Sequence, residues 1–144
     1  MAPGARRKAR AFALQILYAH DAGGSVAVDA AASGWDDNFE VDIDPAGREF
    51  ASGLAQAAVA HLAAIDEVIA GASKNWRLDR MARVDRNILR LATCELRDFP
   101  DVPVKVAINE AVELAKRFGT AESPAFVNGI LDRVAAALGR SPES

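Results

Sequence analysis

The stretch VPVKVAINEAVELAKRFGTAESPAFVNGILDRV, residues 102–134, constrains the fold of this chain more than any other. Apolar residues recur every three or four positions in both of its halves, which predicts two amphipathic helices joined by a short polar turn. Pro103 suits the first turn of the first helix, and Ser123 with Pro124 suits the start of the second, as N-cap and first helical residue. A glycine follows each apolar series, and Gly119 after the first is expected to adopt a left-handed C-terminal cap.

The rest of the chain also predicts helices and no strands. Helical spacing of apolar residues predicts helices over about 5–20, 45–70 and 81–99, the second of them capped by Asp44. Residues 23–43 are rich in glycine, alanine and aspartate and predict a connection, to which we assign no chemistry. A length of 144 residues suffices for one core, so the expected fold is one all-α domain.

The charge is unevenly distributed along the chain. A net charge of −3 argues against a protein that coats nucleic acid through its bulk charge. Residues 1–10 nevertheless contain Arg6, Arg7, Lys8 and Arg10 and no acid, whereas residues 21–44 contain seven acids and no base. Any site for a polyanion is therefore local, and the N-terminal arginines are the densest uncompensated positive charge.

The sequence contains no pattern typical of catalysis, of a cofactor or of a metal site. His20 and His61 each lack a second ligand at suitable spacing, and no glycine-rich phosphate loop or Cys–His pair is present. Cys94, the single cysteine, excludes an internal disulfide, fits a reducing cytoplasm, and is interpreted as a small apolar residue of the core. We therefore expect a cytoplasmic protein that is not an enzyme.

One stripe of the first helix suggests a contact surface. Arg7, Leu14 and Tyr18 lie nearly opposite the apolar face, and tyrosine and arginine are favoured contact residues. Either the stripe binds a partner, which we favour, or the chain folds over it and buries it as core.

An arginine stripe marks the central helix, where Arg83, Arg86 and Arg90 recur at helical spacing. Asp79 and Asp85 interleave with these arginines, so pairing within the helix on a solvated face is expected rather than phosphate binding.

Two residues are unusual for their predicted places. Glu95 projects into the apolar side of the central helix, so it is expected to form an inter-helix tie to an arginine or a helix N-terminus. Gly129 interrupts good helix formers in the last helix, and a close helix crossing or the approach of a ligand would offset its cost of about 1 kcal/mol relative to alanine.

Three blocks of the chain resemble the NusB family of bacterial transcription antitermination factors. These blocks are ARRKARAFALQILYA, VDRNILRLATCEL, and KVAINEAVELAKRFG followed by FVNGILD, and they occur in the family's order. The resemblance implies two small helical bundles packed together, at about residues 1–72 and 73–140. It covers about half of the chain and is weak between Gly23 and Arg80.

The same resemblance implies a non-catalytic factor that binds boxA-type single-stranded RNA jointly with NusE, a small-subunit ribosomal protein, within an RNA polymerase antitermination complex. Carried over to this sequence, the RNA-binding positions are Arg6, Arg7, Arg10 and Phe126, the last as a stacking aromatic. The positions that would meet NusE are Tyr18, Asp79 and Asp85, whose acidic character suits a basic ribosomal protein.

Two other classes of function stay open at this point. The chain could be a self-associating helical module, with the stripe on its first helix as the face of a homodimer. It could also be a stand-alone relative of the RNA-binding domain of rRNA cytosine methyltransferases, although no room is left for a cofactor-binding α/β domain. Sedimentation at several concentrations tests the first alternative.

Overall fold

The computed structural model of the chain describes residues 5–23, 43–74 and 76–141, so nearly all of the predicted 23–43 connection lies outside the described residues. Every long element in these ranges is helical, which confirms the all-α prediction. The elements are α1 (Ala5–Gly23), α2 (Pro45–Ala60), α3 (Leu62–Ala72), a short 3-10 turn (Leu78–Arg80), α4 (Arg83–Asp98), α5 (Val104–Phe118) and α6 (Ser123–Ala137). None of the described helices alone is long and apolar enough to cross a membrane, and α2 with α3 meets that criterion only as a bent pair.

Helix α4 lies at the centre of the molecule and packs against all five other helices. Its leucine and isoleucine side chains, including Ile88, Leu89, Leu91 and Leu96, are fully buried. Nine of its sixteen residues are polar or charged, and because α4 is covered from several directions, four of them (Asn87, Arg90, Thr93 and Glu95) are buried and need partners inside the protein.

The predicted helix over residues 45–70 is in fact two helices, so that prediction was wrong about continuity. The chain bends by 77° between α2 and α3, and His61 stands at the break. Leu54 of α2 and Ile65 and Ile69 of α3 are all completely buried. Both helices pack on α4, and the bend lets each bury its apolar face there.

The predicted start of α2 is confirmed by its cap. The carboxylate of Asp44 accepts a hydrogen bond from the N–H of Gly47 at 2.7 Å, as an N-cap does. At the end of α6, Gly139 adopts the left-handed conformation expected of a terminal glycine, with φ of 72°. Gly129 is not at a close helix crossing, because a Cβ atom there would meet no atom within 4 Å.

The turn between α5 and α6 differs from the prediction. Gly119 has φ of −97° and ψ of −164°, so it is extended and not left-handed. A Cβ at Gly119 would collide with the side chain of Ser123, which explains why a glycine stands there. Ser123 is the first residue of α6 rather than its N-cap, and its hydroxyl accepts a hydrogen bond from the N–H of Thr120 at 2.9 Å.

The arginine stripe of α4 forms inter-helix ion pairs, and the prediction of pairing within the helix was wrong. Arg86 donates to Asp21 of α1 at 2.7 Å, and Arg90 donates to Asp66 of α3 at 2.8 Å. Asn87 adds a third polar contact, a hydrogen bond to Asp21 at 2.9 Å. Burial would raise the pKa of Asp21, but the hydrogen bonds from Arg86 and Asn87, together with attraction to the two arginines, hold it below its ordinary value.

Candidate nucleic-acid interface

Arg10 is buried and forms an ion pair with Glu95, as the predicted inter-helix tie requires. Its Nη2 lies 2.7 Å and its Nε 3.0 Å from Glu95 Oε1, and the two side chains are only 4% and 2% exposed. Each charge therefore satisfies the other inside the core. The expectation that Arg10 contributes uncompensated charge was wrong, and this guanidinium does not face the solvent where a phosphate would bind.

Arg7 lies at the surface, where Glu110 of α5 holds its guanidinium in place. Nε and Nη2 of Arg7 donate to the two oxygens of Glu110 at 3.0 and 2.7 Å, while the Arg7 side chain stays 60% exposed. The hydrogen bond from Arg7 lowers the pKa of Glu110 against the opposing effect of burial, and attraction to Arg7 and Arg10 adds to the lowering. Arg7 is thus a fixed, accessible cation whose charge is partly compensated.

A basic cleft of about 320 Å³ lies between α1 and α5. Its walls are Arg7, Ala11, Glu113, Leu114, Lys116 and Arg117. Three of these side chains are cations and one is an acid, so the cleft favours an anion. Arg6 lies exposed on the same helical end as Arg7, with its guanidinium carbon 5.0 Å from the ring centre of Phe50.

Sequence reasoning missed Lys116 and Arg117 as candidate binding residues. They were explained as cations that complement the C-terminal end of a helix dipole. That explanation accounts for their place in the last turn of α5, but α1 also brings Arg7 to the same cleft. The missing information was the packing of α5 on α1, which no local pattern contains.

A second cavity, of about 290 Å³, lies beside the N-terminal end of α6, and we call it the aromatic cleft. Its walls are Trp76, Arg80, Met81, Ala82, Asp85, Thr120, Glu122, Ser123 and Phe126. The rings of Trp76 and Phe126 meet edge to face, with their centres 5.5 Å apart and their planes at 86°. Phe126, predicted as a stacking residue, therefore has Trp76 as an aromatic neighbour.

The walls of the two clefts come close along the chain at the turn between α5 and α6. Arg117 lines the basic cleft and Thr120 lines the aromatic cleft, and three residues of chain separate their Cα atoms by at most about 11 Å.

The described residues contain no group of three or more side chains arranged to hold a metal ion. Cys94, in the core of α4, is free and buried, and burial next to Asp98 and Glu95 raises the pKa of its thiol to about 12.

The model of the NusB family matches residues 7–136. The chain belongs to the NusB family. It is 54% identical over 137 residues to the transcription antitermination protein NusB of Sorangium cellulosum, covering 95% of this chain and 96% of that protein. It is 50% identical over 138 residues to the NusB of Myxococcus xanthus, covering 95% and 99% respectively.

Solved structures agree with this family membership. NusB from T. maritima superposes with a TM-score of 0.83 at 35% identity, covering 99% of this chain and 96% of that one. A NusB in a crystal structure of NusB and NusE with double-stranded RNA gives a TM-score of 0.81 at 27% identity, covering 94% of this chain and 99% of that one.

The positions that the resemblance to NusB assigns to NusE lie around the N-terminal end of α4. Tyr18 of α1 is half-buried, with the guanidinium carbon of Arg83 5.8 Å from its ring centre. Leu14, on the same predicted stripe, is buried in the core, so the stripe is not a continuous outward surface. Tyr18 is consequently less exposed than its position opposite the apolar face predicted.

The two acidic positions differ in their surroundings. Asp79 is exposed on the 3-10 turn and pairs with Arg77 at 3.1 Å. Asp85 is half-buried at the wall of the aromatic cleft, and its Oδ1 is buried without a hydrogen bond from any described residue. A buried acceptor without a donor is costly, so Asp85 is suited to a donor from a binding partner.

Proposed function

We propose that this chain is a non-catalytic transcription antitermination factor that binds boxA-type RNA together with NusE, in the bacterial cytoplasm where RNA polymerase acts. Membership of the NusB family supports the role, and the related NusB seen with NusE and RNA supports both partners. The observation that carries the proposal is the presence of a basic cleft and an aromatic cleft whose walls include residues at the two sides of one turn, since single-stranded RNA requires both cations and stacking surfaces.

The phosphates of the RNA are proposed to bind along the N-terminal end of α1 and the C-terminal end of α5. Arg7 from α1 and Lys116 and Arg117 from α5 contribute at the walls of the basic cleft. Arg6 is exposed beside Arg7 outside those walls and contributes from the same end of α1. Arg10 is not proposed to contact the RNA, because its guanidinium forms an ion pair with Glu95. Its Nη1 lies 3.9 Å from the carboxylate of Glu110, which holds Arg7, so Arg10 contributes indirectly. Phe126 then offers its ring to a base one turn into α6.

Titration of labelled boxA RNA with this chain alone, with NusE alone and with both tests the proposal. We expect the mixture to bind more tightly than either protein, and to prefer boxA RNA to an RNA of the same composition in shuffled order. Single-stranded and duplex forms of the same sequence belong in the same experiment, since stacking on Phe126 requires unpaired bases. Equal affinity for boxA and shuffled RNA with NusE present would contradict the proposal.

NusE is proposed to cover Tyr18, Asp79 and Asp85, and substitution of Tyr18 tests this face. Tyr18→Asp removes the aromatic ring and puts a charge where NusE would exclude water, so it should weaken NusE binding at least tenfold. Tyr18→Phe is the matched control, because it keeps the ring near Arg83 and removes only the hydroxyl. The measurement is calorimetric titration with NusE, accompanied by a melting curve for each variant. A melting temperature that collapses while NusE affinity stays normal would show that Tyr18 is core.

A further inference from the structure

Trp76 is a large apolar side chain that is held at the surface. It is 56% exposed, the highest value for any large hydrophobic residue in the described parts of the chain. Its backbone is nevertheless fixed twice by the buried Ser73, whose carbonyl accepts from the Trp76 N–H at 2.8 Å and whose hydroxyl donates to the Trp76 carbonyl at 2.9 Å. A ring presented from a fixed backbone loses little freedom when a ligand binds it.

Trp76 and Phe126 form two walls of the aromatic cleft at nearly a right angle. The cleft volume of about 290 Å³ lies just below the range for ligand pockets, about 300–1,000 Å³. The space therefore suits one planar group laid against an aromatic face.

The charges around the aromatic cleft are unsuited to a phosphate. Asp85 and Glu122 oppose the single cation Arg80, whereas the basic cleft has three cations and one acid. An RNA strand that follows the α5–α6 turn would therefore place phosphates at the basic cleft and an uncharged base in the aromatic cleft.

We propose that the aromatic cleft holds one unstacked base of the bound RNA and that Trp76 is the residue on which this base stacks, with Phe126 as the second wall. This inference rests on the proposed RNA binding and deepens it, by assigning a pocket and a further contact residue. Every base has an aromatic face, so stacking on Trp76 tolerates any base. It contributes affinity without releasing counterions from the phosphates.

Substitution of Trp76 is the first part of the test, with boxA RNA titrated into the complex of this chain with NusE. Trp76→Ala should weaken RNA binding by about 5- to 150-fold, the range expected for one lost base–aromatic stack. Trp76→Phe should retain most of the affinity, whereas Trp76→Leu, which is apolar but not aromatic, should resemble alanine. The slope of log K against log[salt] should stay at the wild-type value in all three variants, because no phosphate contact is lost.

An abasic scan of the RNA is the second part, and it identifies the base. One nucleotide is expected at which removal of the base weakens binding to the wild type but has no further effect on Trp76→Ala. If far-UV circular dichroism shows that Trp76→Ala has lost helix, the scan is repeated with Trp76→Leu in its place. Trp76→Leu is expected to keep an apolar contact with Phe126.

The outcomes separate the inference from the proposed function. If the wild type binds boxA RNA, and Trp76→Ala binds it equally well with no position coupled in the scan, the inference is wrong and the proposed function stands. If Trp76→Ala weakens NusE binding in the absence of RNA as much as it weakens RNA binding to the complex, the loss comes from NusE and the inference is also wrong. If the wild type with NusE does not bind the RNA at all, the proposed function fails and the inference fails with it.

Discussion

At the scale of single residues, the pair of Arg10 and Glu95 tests the division between structural and RNA-binding arginines. Arg10→Ala leaves the Glu95 carboxylate buried without its partner, so the free energy of unfolding should fall by about 3–5 kcal/mol. The double variant Arg10→Met with Glu95→Leu replaces both charges by apolar groups and should regain most of that loss. Urea unfolding measures both changes.

The same double variant also shows whether Arg10 contacts RNA. Because its stability should be near that of the wild type, any loss of RNA affinity would not be a consequence of unfolding. We expect its affinity for boxA RNA to be within a few-fold of the wild-type value. A large loss in this stable variant would contradict the structural role assigned to Arg10.

Arg6 and Arg7 are expected to behave differently from Arg10, because they are exposed at the end of α1. The double variant Arg6→Ala with Arg7→Ala should bind RNA more weakly and make the slope of log K against log[salt] shallower by up to about 1.4, at about 0.7 for each phosphate contact. Arg97→Ala is a control for the loss of one positive charge, since Arg97 pairs with the adjacent Asp98 and lines neither cleft. An unchanged slope in the double variant would mean that neither arginine contacts phosphate.

The sequence could predict that Glu95 needs a donor, but it could not identify which arginine supplies it. Arg6, Arg7 and Arg10 occur in one short basic run, and local pattern treats them alike. What separates them is the packing of α4 across α1, which buries Arg10 and leaves the other two exposed. Trp76 shows the same limit, because its exposure and its contact with Phe126 depend on how the chain between α3 and α4 packs against α6.

At the scale of elements, Asp21 joins the end of α1 to α4 and makes that contact sensitive to acid. Because its pKa is lowered on folding, the folded protein binds fewer protons there than the unfolded chain. The resulting stabilisation is complete well above the ordinary value of 3.8 and is lost as the pH falls through the lower folded pKa. Glu110, whose pKa is also lowered, acts in the same direction.

The variant Asp21→Asn isolates this contribution. It should be less stable than the wild type at pH 7, and the difference should shrink as the pH falls below about 4, where the aspartate also becomes neutral. Urea unfolding at a series of pH values measures the difference. A difference that stays constant between pH 7 and pH 3 would show that Asp21 acts through packing or hydrogen bonding that does not depend on its charge.

The helices themselves were predicted well wherever capping residues and apolar spacing agreed, as at the start of α2 and the end of α6. The break at His61 was not predicted, because neither proline nor glycine marks it and the apolar spacing continues through it. The bend follows from the requirement that both halves pack on α4. The arginines of α4 were misassigned for a related reason, since Asp21 and Asp66 are distant in sequence and come close only when α1 and α3 pack.

At the scale of the whole molecule, α4 decides whether the two expected sub-bundles, at about residues 1–72 and 73–140, are independent. It belongs to the second by sequence, yet it packs against α1, α2 and α3 as well as against α5 and α6. Glu95 of α4 has its buried partner on α1, and Arg90 of α4 has its partner on α3. Removing either sub-bundle would therefore expose apolar surface on the remaining one and leave some of its charges unpaired.

We accordingly predict that the chain unfolds as one cooperative unit, despite the expected division into sub-bundles. Urea unfolding followed by far-UV circular dichroism, which reports all helices, and by the fluorescence of Trp76 in a Trp35→Phe background, which reports the second half, should give the same midpoint. A fragment of residues 73–144 should be largely unfolded on its own, because α4 would lose three of the five helices that cover it. Two separate transitions, or a fragment with native helix content and a cooperative melt, would instead show that the second sub-bundle is stable without α1, α2 and α3.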